Sequence, residues 1–254
     1  MTPLLPPFDL PEDIVLLIVD ELAAPADFIL HKALAEHLKS PARRGDSPET
    51  KLSPNKVVIL SASESFQRWK ALASKSNLQL QNYINNGSVS FIPVGSDICD
   101  DDSGRKLRDV FSVISEKITT ANTYSRLLIF DDISSLEWMG IPNIQLQQFL
   151  RAVRAMCLKH RVTLLIRHHL LSPDESEPDE LFRFLLQICT HHLAVHPLAS
   201  GRSGAVTGEI SLHKGFSAPD HDNVRLIHRS SAIQYNLVDS GPDFFAKGTS
   251  GGVL

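Results

Sequence analysis

The stretch that most constrains this fold is Arg126-Leu127-Leu128-Ile129-Phe130-Asp131-Asp132-Ile133-Ser134, in which an apolar run leads directly into two carboxylates. A strand that is apolar on both faces has to be covered on both. That is the condition of a strand inside a mainly parallel sheet with helices above and below. The acidic pair then falls at the carboxyl end of the strand, where open α/β sheets place ligands.

Two readings of the pair follow. An apolar strand ending in Asp holds the nucleotide's Mg²⁺ in P-loop NTPases, and buried strands also end in acidic turns and helix caps. A phosphate cradle upstream would favour the first. The place for one is after the aliphatic run Ile14–Val19, the first predicted strand, and before the helix predicted from about Pro25 to Leu38. A cradle needs glycines, so that backbone N–H groups wrap the phosphates, a Lys, and a Ser or Thr for the metal. The turn here, Asp20-Glu21-Leu22-Ala23-Ala24-Pro25-Ala26-Asp27, has no glycine and no lysine but three acids, and the first glycine of the chain is Gly45. Acids at that range repel phosphate. No Gly-Lys-Ser/Thr occurs anywhere.

Further strands are predicted at Val57–Leu60, Val89–Val94, Val162–Ile166 and Leu193–Val195. Helices are predicted between them: Phe66, Trp69, Leu72 and Ala73 mark one. Leu107, Val110, Phe111, Ile114 and Ile118 mark a second, capped by Ser103. A third starts at Pro142 and carries Leu146, Phe149, Leu150, Val153 and Cys157, and a fourth spans Leu181–Cys189. Strand and helix in alternation predict an α/β fold. The last third changes character. Gly208–His213, Val224–His228 and Ala232–Val238 read as antiparallel strands added to the sheet edge. Ser40–Lys56 is rich in Pro, Ser and charge and reads as a flexible insertion; Ser40, Ser47 and Ser53 each precede a proline. The expected layout is a single domain over 1–254, with a tail at 1–12, the insertion at 40–56 and a β-rich extension over 197–254.

With 254 residues, 43% of them hydrophobic, the chain suits one sizeable core. A net charge of -4 calls for no polyanion partner of the single chain. Cys99, Cys157 and Cys189 show no pattern and read as reduced thiols of a nuclear or cytosolic protein. No apolar run approaches a membrane span of about 20 residues, and the N-terminus reads as no secretory signal. His168-His169, His191-His192 and His196 read as strand-end histidines, because none shows the close spacing of a zinc site. Asp97–Asp102 lacks the spacing of a calcium loop. No catalytic residue, metal ligand or cofactor site is expected.

At the C-terminus stand Ile233-Gln234-Tyr235-Asn236-Leu237, then Asp243-Phe244-Phe245-Ala246-Lys247-Gly248-Thr249 and Gly252-Val253-Leu254. This segment resembles the C-terminus of the sixth subunit of the Elongator complex. The resemblance implies a RecA-like fold without ATPase motifs. It also implies a six-membered ring made with two paralogous chains, the fourth and fifth subunits. That ring binds tRNA and docks on the larger subunits, which modify the wobble uridine, in cytoplasm and nucleus. Two adjacent large aromatics, Phe244 and Phe245, read as anchors of the tail on this chain's own sheet or on a neighbouring subunit, and with Lys247 they are the candidate partner contacts. Arg202, Lys214, Arg225 and Arg229 are candidate RNA contacts, thin on one chain and a belt when repeated around a ring.

Three functions remain at this stage. One is a non-catalytic ring subunit; a second is a nucleotide-dependent α/β enzyme with an atypical phosphate site and Asp131 and Asp132 on magnesium; a third is an adaptor with no RNA role.

Overall fold

The computed structural model describes residues 4–40, 55–95, 102–120, 125–170, 179–201, 203–220 and 223–247. Among the described residues nine strands form one sheet in the order β3-β2-β4-β5-β1-β6-β7-β8-β9. They are β1 (Val15–Glu21), β2 (Lys56–Ser61), β3 (Val89–Pro93), β4 (Arg126–Asp131), β5 (Thr163–Leu170), β6 (His191–His196), β7 (Gly208–Lys214), β8 (Ile233–Val238) and β9 (Gly241–Ala246). Strands β1 to β6 pair in parallel, and β6 to β9 pair antiparallel. The fold is therefore the α/β class read from the sequence, with antiparallel strands added in the C-terminal third.

Alternation along each central strand divides the core. Leu16, Ile18, Ile59, Ile129 and Leu165 face α1 (Asp27–Lys39), α2 (Phe66–Lys75) and α3 (Leu80–Asn85). Val15, Leu17, Val58, Leu128 and Ile166 face α4 (Ser103–Thr119), α5 (Ile133–Trp138), α6 (Asn143–His160) and α7 (Glu180–Ile188). The organising strand, β4, is buried along all but its first residue. Burial on both faces is what made it a continuous apolar run rather than an alternating one.

The structure corrects several details. The tail expected at 1–12 is packed: Leu4, Leu5, Phe8 and Leu10 are buried in the first cluster, and the Phe8 ring meets Phe244 edge-on at 5.7 Å. Its apolar side chains have more to gain from burial than a solvated tail allows. Strand β5 runs on to Leu170, past the predicted end. Helices α3 and α5, one to two turns each, leave no mark in the sequence pattern because six residues hold too little periodicity. Ser103 is the first residue of α4 and gives no side-chain cap; its Oγ donates to Gln145 Oε1 at 2.6 Å. Residues 224–228 form a single bridge, Leu212 to Ile227, followed by a 3-10 turn at Arg229–Ser231. The final strand β9 instead takes up Phe244 and Phe245. Lys56 begins β2, so only 41–54 of the expected insertion, with Ser47 and Ser53, lies outside the described residues, as do most of the acidic stretch Asp97–Asp102, residues 171–178 and Cys99. No helix among the described residues is long and apolar enough to cross a membrane.

Candidate functional site

The strand order places the carboxyl ends of β1, β5 and β4 side by side. Asp20, Arg167 and Asp131 meet there, each 5% exposed or less. The Arg167 guanidinium reaches Asp20 Oδ2 from Nε at 3.1 Å and Asp131 Oδ1 from Nη1 at 3.0 Å. Its Nη2 lies 2.8 Å from His169 Nε2, and His169 Nδ1 lies 2.6 Å from Asp20 Oδ1. The second oxygen of Asp131 accepts from Trp69 Nε1 at 3.2 Å and Ser61 Oγ at 3.3 Å. Trp138 stacks on His169, with ring centroids 5.9 Å apart.

The turn after β1 is closed on itself. The backbone N–H of Ala26, at the start of α1, donates to Asp20 Oδ2. A helix N-terminus of this kind is a ready anion site. Here the anion is the protein's own carboxylate.

Asp132 takes the capping role. Its Oδ1 accepts from Ser135 N at 2.8 Å at the start of α5. Asp131 and Asp132, 2% and 1% exposed, thus spend their oxygens on partners within the chain. Burial raises the Asp131 carboxyl above its ordinary value, with Asp132 adding to the rise and Arg167 opposing it. Burial alone would lower the Arg167 pKa, yet the carboxylates of Asp20, Asp131 and Asp132 lift it. A guanidinium does not deprotonate in proteins, so Arg167 keeps its positive charge between the carboxylates.

A second network adjoins it. Asp179 Oδ2 lies 2.8 Å from His168 Nε2, and His168 Nδ1 lies 2.9 Å from Ser134 Oγ. With the Nε2 proton held by the carboxylate, Nδ1 accepts from the serine. The order nucleophile, base, acid is that of a hydrolytic triad, and no sequence spacing announced it. Ser134 is fully buried, however, and its Oγ also accepts from His169 N at 2.7 Å. Asp179 in turn caps α7 through Phe182 N at 2.7 Å. The network ties α5, β5 and α7 together. Among the described residues no cluster of His, Cys, Asp or Glu is arranged to hold a metal ion.

The candidate surface residues fall elsewhere. Phe244 is buried on its own sheet, with the Lys32 ammonium 5.4 Å from its ring centroid. Phe245 is half-buried on the opposite face. Lys247 Nζ pairs with Glu209 Oε2 at 3.1 Å. Lys214, Arg225 and Arg229 are exposed, and the bridge between Leu212 and Ile227 brings their segments together. Arg202 lies outside the described residues.

The architecture and the buried ion pairs define a class: a RecA-like α/β domain in which the carboxyl ends of the central strands are bridged by its own side chains. A solved KaiC-like protein of the archaeon Pyrococcus horikoshii shares the fold, with a TM-score of 0.63 over 95% of this chain and 96% of that one at 11% identity. The model of the family described as Elongation complex protein 6 matches residues 96–239, more than half of the chain, and the chain belongs to that family. Elongator complex protein 6 of Xenopus tropicalis is 24% identical, over 89% of this chain and 88% of its own length. The Xenopus laevis protein of the same name is 22% identical over the same shares.

Proposed function

We propose that this chain is a non-catalytic subunit of the Elongator complex, built into a hetero-hexameric RecA-like ring with two paralogous chains, the fourth and fifth subunits. In this reading the ring binds tRNA and supports wobble-uridine modification by the larger subunits, in cytoplasm and nucleus. The observation that carries it is the closed carboxyl end of the sheet. Asp20 sits at the N-terminus of α1 and Arg167 between Asp20 and Asp131, so a nucleotide has neither a cradle nor free carboxylates. A chain with this scaffold is kept for its surfaces. The same contacts count against the enzyme reading, because magnesium would have to displace a buried guanidinium from Asp131.

Calorimetry of the isolated chain with Mg²⁺-ATP is expected to give no binding heat. A dissociation constant near ~1 μM, worth about 8 kcal/mol, overturns the reading in favour of a nucleotide-dependent enzyme.

RNA binding is expected to belong to the assembly. The lone chain carries a net charge of -4, and Lys214, Arg225 and Arg229 make a thin patch. Filter binding with tRNA at two salt concentrations should show weak retention by the chain and salt-dependent retention by the ring. Replacing Arg225 and Arg229 by Ala should weaken the ring's affinity and lower its salt slope by about 1 per lost phosphate contact. Tight, salt-insensitive binding by the chain alone contradicts this.

A further inference from the structure

We propose that Arg167 is a built-in cation: its guanidinium permanently occupies a cation site formed by Asp20, Asp131 and His169, and so fixes the carboxyl end of the sheet without any bound ligand. The inference deepens the nucleotide-free reading above and rests on it.

Three observations support it. First, the site is composite. Its members come from β1, β4 and β5 and converge on one guanidinium, with Asp20 Oδ2 and Asp131 Oδ1 at 3.0–3.1 Å and His169 Nε2 at 2.8 Å. Second, the charge balance requires a cation. Asp20 and Asp131 are 0% and 2% exposed, and Asp132 adds a third carboxylate nearby. Two buried carboxylates without a counter-charge are strongly unfavourable. Third, the network reaches outward. Asp20 holds the N–H of Ala26 at the start of α1, Asp131 holds Trp69 on α2, and His169 lies under Trp138 on α5. The guanidinium therefore positions elements on both layers. A bound ion or nucleotide would do this reversibly; a side chain does it once, at folding.

The test separates charge from packing. Arg167→Met keeps most of the volume and removes the charge. Its melting temperature should fall by about 10 °C. The chain has two tryptophans, and both touch the network, so its emission should shift as well. Arg167→Lys should retain a substantial part of the stability.

Arg167→Ala leaves a hole of defined chemistry. Ethylguanidinium, far below denaturing concentrations, should raise the melting temperature of this variant and leave the wild type unchanged. Ethylurea, of the same shape without charge, should not. Equal rescue by both compounds, or by neither, overturns the proposal, as does an Arg167→Met chain that melts within about 2 °C of the wild type. Should the single variants fail to fold, the triple variant Asp20→Asn, Asp131→Asn, Arg167→Met decides. Its folding shows that unbalanced charge was the defect, and its failure assigns Arg167 to packing. All measurements use the isolated full chain, so a failure to assemble with sister subunits leaves the result untouched; ATP calorimetry tests that other reading.

Discussion

Lowering the pH from 7.5 to 5 should cost the isolated chain several kcal/mol of stability, on the order of 2 kcal/mol for each of three buried histidines before opposing groups are counted. Three histidines carry the effect. Burial lowers the pKa of His31, His37 and His192 from 6.5 to about 4 each. His31 packs against Trp69 with ring centroids 4.2 Å apart, so a charged imidazolium there would lose its water. At His31 the Asp131 carboxylate opposes the lowering while Arg167 and Arg68 add to it, and at His192 the neighbouring His213 and His196 add to it.

The sign follows from proton counting. Between pH 6.5 and 4 the unfolded chain binds protons at these rings that the folded chain does not. Their contribution is therefore complete above about 6.5 and is lost as pH falls toward 4, at about 2 kcal/mol per ring by pH 5. Asp131, whose pKa is raised, works in the opposite sense in acid and offsets a part. Thermal melts from pH 8 to 4 should show a steep fall below pH 6. Replacing any one of the three by Asn should flatten the profile by about a third. A melting temperature constant within a few degrees from pH 7.5 to 5 would remove this account.

Phe244→Ala should lower stability by about 3–5 kcal/mol, and Phe245→Ala by less than about 1 kcal/mol. The difference is one of sheet face. Phe244 is 4% exposed and packs on Phe8 and under Lys32. Phe245, its neighbour in an extended strand, points to the other face. There the extension formed by β7, β8 and β9 contributes nothing to the second buried cluster. On the proposed ring assembly, Phe245 is the one of the two aromatic side chains left for a partner contact. Thermal melts of each variant test the first statement, and co-purification with the two sister chains tests the second. A Phe244→Ala chain that melts like wild type contradicts the packing assignment. A Phe245→Ala chain that still assembles normally removes the interface assignment.

Much of the α/β layer plan was legible from doubly apolar strands such as Val57–Leu60 and Leu127–Phe130, because burial on both faces leaves its mark residue by residue. The missing cradle was equally legible, since a turn without glycine cannot wrap a phosphate. What was not legible came from contacts at long range. The apolar pattern ends strand β5 at Ile166 because Arg167, His168 and His169 are polar, although Arg167 and His168 are 5% and 1% exposed. Polar residues are buried when partners await them, and those partners sit on β1 and β4. The N-terminal segment hid its role for a similar reason. Leu5 and Phe8 look like any apolar residues near a terminus until Phe244 arrives from the far end of the chain.

The sequence by itself determined the class of the fold and the lack of a P-loop motif. Continuous apolar strands demand helices on both faces, and the acidic turn after β1 carries neither glycine nor lysine. Only the tertiary structure decided what fills the carboxyl end of the sheet. The order β4-β5-β1 brings Arg167 within 3.0–3.1 Å of Asp131 and Asp20, 36 and 147 positions away in the chain. A run of apolar residues records that a strand is buried but not which strand lies beside it. The crossovers set that order, and with it which buried charges meet.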